Sequence, residues 1–227
     1  MERQQTQRDW AAWHKEYDDP HSPLSRRLTL VRRRIAEILD AAPAGPVRTV
    51  SLCAGQGRDL IGAAAGHPRA ADVRARLVEL DPENVRAARE AALSLGLPGI
   101  TAVAADASVT DAYLGAVPAD LVLVCGVFGN ITDADIRRTV SLLPRLCAPG
   151  AHVVWTRNRV PPDPTPDICR WFGEHGFQAC WLSPPEAGVY GVGVHRFTGT
   201  PLPLEPGVRM FTFVGYDELR DGAPWPS

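Results

Sequence analysis

The residues of this chain that could do chemistry gather where apolar runs stop. Gly55 and Gly57 close one such run, in VRTVSLCAGQGRD at 47–59, just before a helix start at Arg58. Lacking a β-carbon, both glycines can take backbone angles closed to other residues and let a ligand approach the main chain. The helix behind them aims unpaired N–H groups at whatever lies above. Glu79 stands at the end of a second run, VRARLVEL at 73–80. It follows Gly57 by about 20 residues, the distance at which an acidic side chain in a βαβ unit meets ribose hydroxyls. A carboxylate accepting from both hydroxyls makes charge-assisted bonds that a neutral side chain cannot match. Asp106 and Ala107 follow a third run at 100–104, and Asn130 lies in GVFGNI after a fourth at 120–125. A dinucleotide fingerprint would carry a third glycine where this chain has Leu60, so the turn is glycine-rich without being that motif.

The elements that must hold these residues are legible at coarse grain. Residues 23–42 form a helix, because Leu24, Leu28, Val31, Ile35 and Ile38 recur at helical spacing while most of the arginines face elsewhere. Ser22 and Pro23 cap it. Upstream, Trp10, Trp13 and Tyr17 would form an aromatic stripe on a short helix. Asp81 and Pro82 open a helix that stops at Gly96, and Thr132 and Asp133 open another, with Pro144 marking a kink or an early end. A fifth strand is expected at 151–156, then a stiff loop at 157–166 and a helix at 168–175. A strand at 177–182, a loop at 183–188 and an antiparallel strand at 189–197 follow. The tail either adds an edge strand or packs on the surface. Strands alternating with helices imply an α/β, doubly wound, mostly parallel sheet of seven strands with helices on both faces, plus an N-terminal helical segment. In such sheets ligands bind at the carboxyl ends of the strands.

The series SLCAGQGRD, VELDPENV, AADAS, ADLVLVCGVFGNI and APGAHVVW, in that order, resembles the class I S-adenosylmethionine-dependent methyltransferases over residues 47–182. The resemblance implies their Rossmann-like fold and S-adenosylmethionine as cofactor. It implies that Cys53, Ala54, Gly55, Gln56 and Gly57 lie against the methionine part of that cofactor, and that Glu79, beside Leu80, binds the ribose. Asp106 and Ala107 would meet the adenine, and Cys125, Gly126 and Val127 would border the reacting end. Two positions depart from the family pattern. Ser51 stands where the family carries an acid and Cys53 where it carries its first glycine, so another residue must meet the cofactor's amino group. Tyr17 and Arg26 are the candidates.

Methyl transfer from a sulfonium needs an acceptor held in line and water kept out, which proximity and orientation supply. Candidate catalytic residues are Asn130, flooring the site between cofactor and acceptor, and His14 and Tyr17 as bases for an acceptor that arrives protonated, with His195 more remote. Each has a structural alternative: His14 as an exposed helix residue, Tyr17 and the tryptophans as packing rather than a lid, Asn130 as a turn residue. Asn130 is followed by Ile131 and Thr132, not by the two prolines of enzymes that methylate nucleobase amino groups. No clustered acids after the fourth strand suggest a metal.

Composition narrows the classes further. At 227 residues and 45% hydrophobic content, the chain suits one domain, with residues 1–42 as a helical lid or extension and 43–227 as the cofactor-binding part. A net charge of −2 offers no general attraction to nucleic acid or an anionic membrane. No apolar run approaches a membrane span or a signal core. Five cysteines without metal-ligand spacing read as free thiols of a cytosolic protein. The expected partner is a small-molecule methyl acceptor, the protein being a monomer or homodimer. Two rivals remain: a protein of the same fold that binds S-adenosylmethionine without methylating, as a cyclase or ligand sensor, and a nicotinamide-dependent enzyme. The latter is disfavoured by Leu60 and by the lack of a Tyr-x-x-x-Lys pair.

Overall fold

The computed structural model describes Tyr17 and residues 19–214. The strands are β1 (Val47–Leu52), β2 (Val73–Glu79), β3 (Ile100–Ala104), β4 (Ala119–Val124), β5 (Cys147–Asn158), β6 (Phe177–Leu182) and β7 (Tyr190–Phe197). They form one sheet in the order β3-β2-β1-β4-β5-β7-β6. The first five run parallel, whereas β7 is antiparallel to both β5 and β6. The helices are α1 (Pro23–Ala41), α2 (Arg58–Ala64), α3 (Pro82–Ser94), α4 (Asp133–Leu142) and α5 (Thr165–Glu174).

A sheet covered on both sides needs strands that are apolar on both faces. In β4, Leu121 and Leu123 join a core with α1, α2 and α3, while Val122 and Val124 join a second core with α4 and α5. Three caps expected from sequence form as side-chain hydrogen bonds: Ser22 Oγ accepts from Ser25 N, Asp81 from Glu83 N and Thr132 Oγ1 from Asp135 N. They set where α1, α3 and α4 begin, and so how each leaves the rim.

Some expectations are corrected. The fifth strand is longer than 151–156, because Arg157 and Asn158 pair with Gly191 and Tyr190 of β7, shortening the expected loop. Helix α5 begins at Thr165, where Asp163 Oδ1 accepts from Thr165 N at 2.9 Å. Pro144 lies in a single tight turn, Leu143–Arg145, that ends α4. Among the described residues the tail adds one isolated bridge, Val109 to Arg209, rather than an edge strand. It is nonetheless built in, since Met210 N donates to Ser108 O at 2.7 Å and Met210 and Phe211 are buried. Of the expected N-terminal stripe and lid, Trp10, Trp13 and His14 lie outside the described residues, whereas Tyr17 and helix α1 lie within them.

Candidate active site

At the tip of β1 the chain turns through three left-handed positions, Cys53 (φ 50°), Gly55 (φ 54°) and Gly57 (φ 66°). A side chain at such an angle is strained, so Cys53 occupies a position that suits glycine better. Ala54 N donates to Val78 O and Gly57 N to Ala54 O, both at 2.9 Å, so the turn is tied to β2 and closed on itself. A β-carbon on Gly57 would lie 2.6 Å from Leu77 Cδ1, so this glycine also allows α2 to pack on the sheet.

Glu79, half-buried at the tip of β2, holds this turn from the side. Its Oε2 accepts from Gly55 N at 2.7 Å and its Oε1 from Asp81 N at 3.0 Å. Each carboxylate oxygen has a second lone pair, leaving acceptor capacity for a pair of hydroxyls. On the next strand out, Asp106 Oδ1 accepts from Ser108 N at 2.9 Å and from Ser108 Oγ at 2.6 Å. Its Oδ2 lies 3.3 Å from Arg209 Nη1, which also donates to Ser108 Oγ at 2.6 Å. Partial burial opposes ionisation of Asp106, but the Ser108 hydrogen bonds and the Arg209 charge outweigh it and hold the carboxyl below its usual range. Ala107 is buried, and its carbonyl accepts from the Tyr113 hydroxyl at 2.7 Å.

Across the rim, Gly126 N donates to Thr156 Oγ1 of β5 at 2.9 Å, and Asn130 Nδ2 donates to Gly126 O at 2.6 Å. Asn130 thus closes the 126–130 turn with its own side chain. A β-carbon on Gly126 would meet nothing within 4 Å, so this end of the turn borders open space. Both thiols at the strand tips are protonated, burial first and nearby carboxylates second pushing Cys53 and Cys125 well up. They act as small apolar walls. Tyr17 Oη accepts from Arg27 Nη2 at 2.7 Å. Burial raises the Tyr17 phenol more than Arg27 lowers it, so it keeps its proton at neutral pH.

Of the residues singled out from sequence, those at 53–57 together with Glu79, Asp106, Ala107, Cys125, Gly126 and Asn130 lie along one rim. Leu80 is beside Glu79 but 70% exposed, and Val127 is buried beneath the turn. His195 is away from the rim, buried between Trp155, whose Nε1 donates to its Nδ1 at 3.0 Å, and the Phe172 ring, centred 4.3 Å away. Arg26 is exposed on α1. Sequence reasoning missed Arg209, which reaches Asp106 only because the tail folds back, and Asp59, which was in plain view beside the glycine turn. All five cysteines are free thiols. Among the described residues no three His, Cys, Asp or Glu side chains gather as a metal site requires, and no helix is long and apolar enough to cross a membrane.

No family model matches the sequence, and no curated protein matches it. Solved structures do. The chain is similar to an O-methyltransferase family protein from Burkholderia thailandensis, at 16% identity and a TM-score of 0.60 over 75% of this chain, spanning only 56% of that one. It is similar to magnesium protoporphyrin IX methyltransferase from Synechocystis with bound SAH, at 13% identity and a TM-score of 0.63 over 83% of this chain and 93% of the other. A third likeness is to an RNA methyltransferase from Salinibacter ruber in complex with S-adenosyl-L-homocysteine, at 21% identity and a TM-score of 0.51, over 77% and 95%. At these identities the likeness carries the architecture alone.

Proposed function

Starting from a chain with the fold of the class I S-adenosylmethionine-dependent methyltransferases, we propose that it binds S-adenosylmethionine and transfers the methyl group to an oxygen or nitrogen of a small-molecule acceptor. The observation that carries the reading is the joint between Glu79 and the glycine turn. A carboxylate fixed at 2.7 Å from Gly55 N presents acceptor oxygens beside a backbone that a ligand can approach closely. The rim fits the cofactor in parts: Glu79 for ribose hydroxyls, ionised Asp106 and the backbone of Ala107 for the adenine edge, and Cys53 and Cys125 as walls near the sulfur.

When bound, S-adenosylmethionine supplies a methyl group that is already electrophilic. The chain's own residues orient and enclose. The 126–130 turn, stiffened by the Asn130 side chain, floors the acceptor site, and the N-terminal segment with Tyr17 serves as the lid. A protonated phenol at Tyr17 makes it a hydrogen-bonding wall rather than a base, which leaves His14 as the candidate base. The net charge of −2 and the Asn-Ile-Thr run at 130–132 favour a small acceptor over nucleic acid.

Two measurements test this. Thermal shift with S-adenosylhomocysteine reports cofactor binding; a ligand at about 100 times its Kd should add about 2.7 kcal/mol of stability. Release of S-adenosylhomocysteine with hydroxylated or aminated small molecules, but not with RNA or protein, is the expected result. Binding without product from any acceptor would favour a cyclase or sensor instead.

A further inference from the structure

The position that carries an acid in the related family is Ser51, 1% exposed inside the sheet, where a hydroxyl can offer no ionic contact. A carboxylate does exist nearby. Asp59, in the first turn of α2 and two residues past Gly57, is 9% exposed. Its Oδ1 accepts from Leu60 N at 2.7 Å. No arginine, lysine or histidine among the described residues comes within ion-pairing distance of it. Of its nearest cations, Arg32 is turned to Arg58 O at 2.8 Å and Arg27 to the Tyr17 hydroxyl at 2.7 Å.

A buried carboxylate without a contacting cation is costly unless it keeps its proton or a ligand brings the charge. Burial indeed pushes the Asp59 carboxyl up. It lies close enough to the Tyr17 phenol, ahead of α1, and to the Cys125 thiol, at the tip of β4, for its charge to raise both. Cys125 follows β4 on the rim, and the Tyr17 ring lies 5.3 Å from the guanidinium of Arg58, which opens α2 directly after the glycine turn.

We infer that Asp59 replaces the missing acid and pairs with the α-ammonium group of the cofactor's amino-acid end. The inference rests on the proposed S-adenosylmethionine reading of the same pocket. The contact is made by the carboxylate side chain, since the free N–H groups at the start of α2 are donors and cannot accept from an ammonium. Arg27, held on the Tyr17 hydroxyl, sets positive charge on the same side for the ligand's carboxylate. The cation and anion of an α-amino acid would thus be met by groups from α2 and α1, neither of them on β1.

The test uses calorimetry on the full chain with two ligands, S-adenosylhomocysteine and 5′-methylthioadenosine, which shares the nucleoside and thioether but lacks the amino acid. Asp59→Asn keeps the shape and the bond to Leu60 N while removing the charge. It should weaken S-adenosylhomocysteine about 10- to 100-fold, the worth of a charge-assisted bond, and leave 5′-methylthioadenosine within about twofold of wild type by the same logic. Should the variant fail to fold, an S-adenosylhomocysteine analogue with hydrogen in place of the amino group should show the same loss on wild-type protein. Unchanged S-adenosylhomocysteine affinity in the variant, or full affinity of the analogue, overturns the assignment while leaving the cofactor reading intact. Wild-type protein that binds neither ligand overturns both.

Discussion

The rim over β1–β3 and the rim over β4–β7 hold their side chains by different means. On the first, the bonds around Glu79 join near neighbours or adjacent strand tips, Gly55 N and Asp81 N to Glu79, and Ser108 N bonds Asp106, where the tail adds Arg209. On the second, the turn at 126–130 leans on Thr156 of β5, and the tail closes over it, Val214 N donating to Asn130 O and Thr212 N to Asp135 Oδ2. Beneath that half lies an aromatic stack of Phe128, Trp155, Phe172 and His195. The Glu79 and glycine-turn part of the first half is thus pre-set by short-range geometry, whereas the second depends on distant segments being in place. Damage to the first should appear as lost ligand affinity. Damage to the second should appear as lost stability or turnover.

The largest effect expected is on the second half and is driven by pH. Burial holds His195 down to about 4, so the native protein keeps it neutral while the unfolded chain protonates near the ordinary value of 6.5. The unfolded state then binds more protons below pH 6.5, and the stability this neutral ring contributes is present above that pH and lost as pH falls toward 4. The loss amounts to about 3 kcal/mol at full titration. Urea denaturation between pH 7 and 4 should show it, and His195→Phe should flatten the pH slope by one proton. An unchanged slope would remove the stack's dependence on a neutral imidazole.

Next comes Glu79→Ala, which orphans two backbone donors and any ribose contact together. A loss of about 2–3 kcal/mol in S-adenosylhomocysteine binding, or about a hundredfold, is expected by calorimetry, with a much smaller change in melting temperature. If stability fell as far as affinity, the contrast between the halves would be broken. Gly193→Ala probes the converse. A β-carbon there would sit 2.3 Å from Trp155 Cε2, so overpacking should cost about 2 kcal/mol in denaturant titrations, with ligand affinity near wild type. The smallest effect is that of Asn130→Ala. Loss of its bond to Gly126 O should cost about 1 kcal/mol, seen as severalfold lower turnover with unchanged affinity for S-adenosylhomocysteine.

How much of this was legible in the sequence divides along the same line. Glu79 was placed by its spacing from Gly57, and the caps at Ser22, Asp81 and Thr132 by their residue types, because these features depend on bonds only a few residues long or on the fixed length of a βαβ unit. Asp59 was equally visible, but an acid two residues past a glycine turn reads as ordinary helix capping until its burial and its lack of a contacting cation are known. Arg209 gave no signal at all. Its partner Asp106 lies 103 residues away, and nothing in the run around Arg209 records that distance.

By itself the sequence determined the strand and helix pattern, the left-handed glycine turn and the position of the Glu79 carboxylate at a strand tip, since apolar periodicity and backbone sterics act locally. Tertiary structure alone decided that β7 inserts between β5 and β6, that β5 extends to Asn158, that the tail reaches Asp106 and Asn130, and that Asp59 is buried without an ionic partner among the described residues. Each of those depends on which distant surfaces exclude water together, and desolvation is a property of the packed chain rather than of any short stretch of it.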